Sequence, residues 1–135
     1  MAKSKHQVKI VSYGIYNGWN SSAKDLPKID RFCEEIPARV NIEFGFIVNI
    51  KHAKGKSIEW CIDHPQIPGD NGEMLAPFAG TMRIKSADWN FFLGDTIWKP
   101  PHNKMGDWHL WVKLDGLMVA EKTFRVVQDD WSLPV

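Results

Sequence analysis

Hydrophobic and polar residues alternate most strictly between Val40 and Ile50. The residues of one parity are all apolar: Val40, Ile42, Phe44, Phe46, Val48 and Ile50. Successive side chains of a strand point to opposite faces, so this pattern predicts a long strand with one buried face. After a turn at 53–56 the alternation resumes with Ile58, Trp60 and Ile62, which predicts a second strand that forms a hairpin with the first or lies close to it.

A second alternation runs over residues 108–114 and puts every other residue, including Trp111, on the side opposite the core. Asp115-Gly116 then separates it from another β-rich run, residues 117–127. A two-residue Asp-Gly loop favours a type I′ turn, because both of its residues tolerate positive φ. The pattern therefore predicts a hairpin of the last two strands.

Three weaker runs, at 7–16, 81–85 and 89–93, complete a set of about seven short strands. Many short strands with turns between them and almost no helix are typical of a two-sheet antiparallel sandwich. We therefore expect an all-β protein of immunoglobulin-like type. The cysteine-tryptophan-cysteine framework of antibody domains is missing, so the expectation concerns the architecture only.

Two long connections interrupt these strands, at 17–37 and 64–77. Within the first, residues 26–35 are expected to form one or two helical turns, because Ile29, Phe32 and Cys33 would share a helix face. The second is rich in Pro, Gly, Asp and Asn and is expected to run over the surface.

Length and composition indicate one domain, 1–135, with its core at about 7–127. The chain has 135 residues, of which 44% are hydrophobic and 24% charged, and its net charge is +1. This nearly neutral net charge does not indicate a basic surface that would bind nucleic acid. Neither a secretory signal nor a membrane-length apolar run is present, so we expect a cytoplasmic protein without membrane contact.

The two cysteines, Cys33 and Cys61, do not have metal-ligand spacing. In a reducing compartment they are expected to be free thiols. A Cys33–Cys61 disulfide remains the alternative if the protein is exported.

Several short motifs resemble an uncharacterised bacterial family of short immunoglobulin-like β-sandwich domains, a domain of unknown function. The resemblance covers roughly residues 40–127 and rests on these motifs: Phe44-Gly45-Phe46, His64-Pro65, Trp98, Gly106-Asp107-Trp108, Asp115-Gly116 and the run from Val119 to Val126. It implies a β-sandwich and no known activity, and it carries no catalytic residues across. The 17–37 segment has no counterpart in it.

No motif for catalysis, a cofactor or a metal is found, and we expect a protein that is not an enzyme. A Cys61–His109 nucleophile pair is conceivable, but no sequence feature brings the two side chains together. Two groups of potential metal ligands occur in loops, and we expect both to be solvated polar residues without metal. They are His64, Asp70, Asn71 and Glu73, and His102, Asp107 and His109.

Seven tryptophans are the most informative feature for function. Trp60 and Trp108 have core parity and are expected to be structural, with Trp108 between the sheets. Trp111 has the opposite parity, together with His109. Val119 on the next strand, and Phe92 if its strand is a neighbour, are expected to join them in an outward apolar patch. Such a patch commonly marks a protein contact, although a loop of the same chain, such as 17–37, is the alternative cover.

We therefore expect a protein-interaction module, with a homodimer or another protein bound at Trp111, His109, Val119 and Phe92. The alternative is a module that binds a small ligand of the carbohydrate type through loop residues Trp98, Trp19 and His64, since sugars stack on flat aromatic rings. His64 also has a structural interpretation, as a strand-end residue that hydrogen-bonds neighbouring backbone. The identity of the partner or ligand, the pathway and the strand order do not follow from the sequence.

Overall fold

Strands make up most of the chain in this computed structural model, which describes residues 6–17 and 26–129. One 3₁₀ turn, Pro101–Lys104, accompanies them. The strands of the described residues are β1 (Gln7–Asn17), β2 (Lys28–Phe32), β3 (Glu35–Pro37), β4 (Glu43–Lys51), β5 (Ser57–Asp63), β6 (Phe78–Arg83), β7 (Asp88–Thr96), β8 (Gly106–Leu114) and β9 (Leu117–Val127).

The strands form two sheets that pack into a sandwich, as the alternation predicted. Sheet A has the order β2-β1-β4-β7, and sheet B has the order β3-β9-β8-β5-β6. β4 and β5 therefore lie in different sheets, and the pairing expected of them across the turn at 53–56 was wrong. All neighbours are antiparallel except β3 and β9, which are parallel. Within residues 6–17 and 26–129, no helix is long and apolar enough to cross a membrane.

The predicted long strand is β4, the central strand of sheet A. Phe44, Phe46, Val48 and Ile50 are fully buried between the sheets, which confirms its inward face. Its outward face is buried as well, because β1 and β7 flank it and aromatic rings cover it. Ile47 pairs across the sheet with Phe92, whose ring lies edge-on to Tyr16 with centroids 5.0 Å apart.

The predicted hairpin of β8 and β9 is confirmed. Asp115 and Gly116 have φ values of 53° and 77°, as the turn requires, and Leu114 pairs with Leu117 beside it. Lys56 donates to the Asp115 carboxylate at 3.0 Å, and His6 lies 3.3 Å from it, so two other segments hold the turn in place.

The helical turns expected within 26–35 are not formed, and this prediction was wrong. Residues 28–32 are β2, which pairs with the end of β1, and residues 35–37 are β3, which pairs with the end of β9. The segment thus adds one edge strand to each sheet and crosses between the sheets near Cys33. β2 pairs with the strand that precedes it in the chain, and β3 pairs with a strand about 90 residues away. The local spacing of apolar residues contains no information about either pairing.

The segment from 64 to 77 is the predicted irregular connection, with one isolated bridge between Pro68 and Met74. Most of its residues are exposed, but Ile67 is fully buried and anchors the segment to the core. Trp108 lies between the sheets as predicted, fully buried and edge-on to Phe44 with centroids 5.3 Å apart. Trp60 is partly buried against the same core.

Candidate interaction surface

The outer face of sheet B carries Trp111 near its centre. Trp111 lies on β8, and its cross-strand neighbours are Cys61 on β5 and Glu121 on β9. The Lys113 ammonium lies 4.8 Å from the centroid of the indole ring, a cation–π contact on the same strand face. The ring is therefore partly buried by neighbouring side chains while its strand faces solvent.

Charged side chains surround Trp111 on this face. His109 Nε2 lies 2.8 Å from Glu121 Oε1, and Arg125 Nε lies 3.1 Å from Asp107 Oδ1. Both pairs are well exposed, so each contributes little to stability, about 1 kcal/mol or less. A shallow depression of about 330 Å³ lies at the Asp107 end of the face. Its lining is polar and consists of Glu34, Glu35, Asp107, Thr123 and Arg125.

Val119 does not lie beside Trp111, and that part of the predicted patch was wrong. Val112 pairs with Ala120 and Lys113 pairs with Met118, so Val119 is the extra residue of a β-bulge. A bulge shifts the parity of the residues before it, and Val119 packs against the core instead. Strand parity counted along the sequence cannot detect such an insertion.

Phe92 lies on the other sheet, so it does not join Trp111 either. Its strand, β7, is the edge of sheet A, and its ring contacts Tyr16 on the outer face of that sheet. The surface that the structure brings together thus contains Trp111 and His109 among charged residues. It is a polar face with one central aromatic ring rather than an apolar patch.

The ligand-binding candidates Trp98 and His64 meet at one end of the sandwich. Their rings belong to an aromatic cluster in which Trp98 contacts Phe78 and Trp108, with centroids 6.2 and 6.3 Å apart. His64 contacts the same two residues at 4.7 and 5.7 Å. Trp98 therefore packs within its own protein. Trp19 lies outside the described residues, and carbohydrate binding stays a prediction.

His64 also fits the structural interpretation. Its Nδ1 lies 2.6 Å from the Pro65 carbonyl oxygen and its Nε2 lies 2.9 Å from that of Ala76. The imidazole thus ties both ends of the 64–77 segment together. Asp95 lies on the inward face of β7 in this region, and burial raises the pKa of its carboxyl, against a hydrogen bond from the Thr96 amide and the charge of His64.

Lys104 is a further member of this cluster. Its side chain is 1% exposed, and its ammonium lies 4.3 Å from the centroid of the Trp98 ring. Nζ donates to the Pro100 carbonyl at 3.0 Å and to Asn103 Oδ1 at 2.6 Å. Burial lowers the pKa of this ammonium. The lysine follows a proline-rich stretch without periodicity, so no sequence signal marked it as buried.

The conceivable nucleophile pair, Cys61 and His109, lies on one face, but the register puts His109 opposite Asp63 and Cys61 opposite Trp111. Burial, followed by the charge of Asp63, raises the pKa of the Cys61 thiol, which is the opposite of activation. Cys33 and Cys61 are free thiols. In 6–17 and 26–129, no three His, Cys, Asp or Glu side chains converge as metal ligands.

Comparison with known proteins agrees with this architecture. A family model described as Domain of unknown function (DUF3859) matches residues 4–126, which extends the resemblance to the N-terminal third. An immunoglobulin-like protein from Pseudomonas aeruginosa is similar in structure, with a TM-score of 0.68 at 20% identity, over 90% of this chain and 97% of that one. No curated protein matches the chain.

A second solved structure is an alkylpurine DNA glycosylase from Pseudomonas fluorescens, bound to DNA with an abasic site analogue. It is 12% identical over 88% of this chain and 30% of that one, with a TM-score of 0.43. A structural similarity at this level supports no conclusion about this chain. The first neighbour supports an immunoglobulin-like fold.

Proposed function

This chain belongs to the family described as Domain of unknown function (DUF3859), and we propose that it is a non-catalytic protein-interaction module that self-associates through the outer face of sheet B. The observation that carries the proposal is Trp111, an aromatic ring near the centre of a solvent-facing sheet with charged residues around it. Tryptophan is among the residues that contribute most to binding when a partner excludes water from it.

The charges along β8 favour a second copy as the partner. Its outward side chains run from acidic Asp107 through His109 and Trp111 to basic Lys113. Two copies can pack face to face about a two-fold axis at right angles to β8, midway between His109 and Trp111. Lys113 of each copy then lies opposite Asp107 of the other, and Trp111 lies opposite His109. The face is thus complementary to itself, as an isologous interface requires.

The experiment is the solution mass by multi-angle light scattering over a range of protein concentrations. We expect a dimer for the unaltered chain and a monomer for Trp111→Lys, which removes the central ring and puts a charged side chain against His109 of the second copy. A stable interface of this kind buries roughly 800 Å² per copy, enough for a dimer at micromolar concentration. Trp60→Phe, a change to a tryptophan of the inward face, is the control that leaves the dimer intact.

Charge exchange tests the proposed orientation. Lys113→Glu opposes an acidic residue to Asp107 of the second copy and is expected to raise the dimer dissociation constant about ten-fold. Adding Asp107→Lys to the same chain reverses the pair and is expected to restore the dimer. Thermal unfolding of each variant checks that it is folded. A folded, unaltered chain that remains monomeric at all concentrations contradicts the proposal.

A further inference from the structure

On the side of the sandwich where β1 and β9 lie, the short strands β2 and β3 pair with only one half of these strands, and the other half has no such cover. β2 pairs with β1 only from Gly14 to Asn17, and β3 pairs with β9 only from Arg125 to Val127. Lys122 bridges the sheets near these short strands: its ammonium contacts the Tyr13 ring at 3.9 Å and forms an ion pair with Glu34 at 2.5 Å. In the described part of the chain, the first half of β1 pairs only with β4 and the first half of β9 only with β8, so one edge of each has no strand partner.

These two free strand edges border one groove. Its volume is about 370 Å³, and its walls are residues 8–10 of β1 and residues 118–121 of β9. Val8, Ile10 and Val119 are partly buried in its wall, and Met118 is 41% exposed at its rim. The groove thus combines an apolar floor with backbone N–H and C=O groups that have no strand partner. An added extended strand satisfies both features at once.

The positive charge beside the open edge of β1 favours an acidic partner. Lys9 and Lys51 lie on the outward face at this end of sheet A, and neither forms an ion pair within 6–17 and 26–129. Opposite charges on neighbouring strands stabilise their pairing, whereas like charges oppose it. Antiparallel pairing of two β1 edges centred on Lys9 would put Lys9 of one copy against Lys9 of the other, which disfavours a second copy here.

We propose that the open edge of β1 binds an extended acidic segment of another protein by strand addition. Alternate apolar side chains of that segment enter the groove over Val8 and Ile10, and an acidic side chain on its other face pairs with Lys9. The edge that pairs is that of β1 in sheet A, whereas the self-association surface is the outer face of sheet B around Trp111, and of the residues named here only Glu121 belongs to both. The proposal therefore does not rest on self-association.

A fluorescent peptide of about nine residues with alternating valine and glutamate is the probe, since this length matches one added strand. Fluorescence anisotropy measures its binding to the full chain, with a valine–lysine peptide as the matched comparison. We expect the acidic peptide to bind about five-fold more tightly, the effect of one favourable against one unfavourable cross-strand charge pair. Lys9→Glu is expected to reverse this preference, whereas Lys99→Glu, at the opposite end of the sandwich, leaves it unchanged.

Backbone pairing is tested separately from side-chain binding. An acidic peptide that is N-methylated at alternate residues cannot donate along one edge and is expected not to bind. Hydrogen exchange of the amides of residues 7–10 is expected to slow when the unmodified peptide binds. Equal binding of the methylated peptide, no binding of the acidic peptide, or an effect of Lys99→Glu equal to that of Lys9→Glu overturns the proposal. A dimer lost with Lys9→Glu, which would indicate a second copy at this edge, also overturns it.

Discussion

At the scale of single residues, the outer face of sheet A contains a hydroxyl pair that behaves as part of a core. Tyr16 is 2% exposed, and its phenol oxygen lies 2.7 Å from the hydroxyl oxygen of Ser12, which is 7% exposed. Burial raises the pKa of Tyr16 from its ordinary value of 10 to about 12, although the contacts with Ser12 and the Ile47 backbone oppose the shift. A deprotonated phenolate has little solvation at this position.

This pKa predicts a loss of stability in alkali. The unfolded chain releases the Tyr16 proton near pH 10, whereas the folded chain holds it to about pH 12, so the free energy of the unfolded state falls relative to that of the folded state between these values. Stability is full below pH 10 and is expected to fall by about 2–3 kcal/mol as the pH rises to 12. Urea unfolding at a series of pH values measures this loss.

Tyr16→Phe is the control for this titration. It is expected to abolish the loss assigned to Tyr16 and to cost about 1–2 kcal/mol at neutral pH, because the buried Ser12 hydroxyl loses its partner. Tyr13 is then the remaining tyrosine, so the difference in ultraviolet absorbance between the two proteins isolates Tyr16. A difference spectrum that titrates near pH 10 would contradict the assignment.

At the scale of elements, β4 depends on a glycine where it passes between β1 and β7. Gly45 pairs with Gly14 on one side and Gly94 on the other, and its φ is 155°. A Cβ atom at this position would stand 2.1 Å from the Leu93 carbonyl oxygen, which is backbone of the neighbouring strand. β4 and β7 can approach as they do only without that side chain.

Gly45→Ala is therefore expected to cost about 4 kcal/mol or more, since strand backbone must move to relieve the clash. Gly72→Ala is the matched control, because Gly72 also has positive φ, of 85°, but has open space around its Cβ position. Its cost is expected to be about 1 kcal/mol, from conformation alone. Urea unfolding midpoints compare the two variants, and equal midpoints would show that the close approach of β4 and β7 is unimportant.

The two short strands β2 and β3 are the elements that the sequence misrepresented. Ile29, Phe32 and Cys33 have the spacing of a helix face, yet residues 28–32 pair with β1 and residues 35–37 pair with β9. Edge strands of three to five residues have too few positions for alternation to be visible. Their conformation is decided by the partner strands, which lie up to about 90 residues away along the chain.

At the scale of the whole molecule, Trp108 joins the two sheets and the cluster at the end of the sandwich. It is fully buried, contacts Phe44 of sheet A, and its Nε1 donates to the Lys104 carbonyl at 2.8 Å. One side chain thus connects the core with the 98–105 segment. Trp111, three residues later on the same strand, faces solvent and has no comparable structural role.

The same substitution at these two tryptophans should have different effects. Trp108→Phe removes the hydrogen bond to Lys104 and leaves a cavity, for an expected cost of about 2–4 kcal/mol. Trp111→Phe is expected to cost less than about 1 kcal/mol in the unfolding of the monomer. Chemical denaturation at low protein concentration measures both. Similar losses would mean that Trp111 is part of the fold, which would also weaken its assignment to an interface.

Tertiary structure alone decided where chemistry-bearing residues meet. The bulge at Val119 moved that side chain from the face of Trp111 to the core, and sheet order moved Phe92 to the other layer. Lys104 lies over the ring of Trp98, and Asp95 is the cross-strand partner of Phe44; no spacing in the sequence indicates either position. Such placements depend on inserted residues and on which strands become neighbours, and both are settled by packing over the whole chain.

The sequence by itself determined the sandwich, the long central strand, the C-terminal hairpin and the outward position of Trp111. These features follow from local physics: side chains alternate along a strand, and Asp115-Gly116 accepts positive φ. The sequence did not determine β2 and β3, the half-open side between β1 and β9, or the surroundings of Trp111. Each of these depends on contacts between residues far apart in the chain, which only the folded structure brings together.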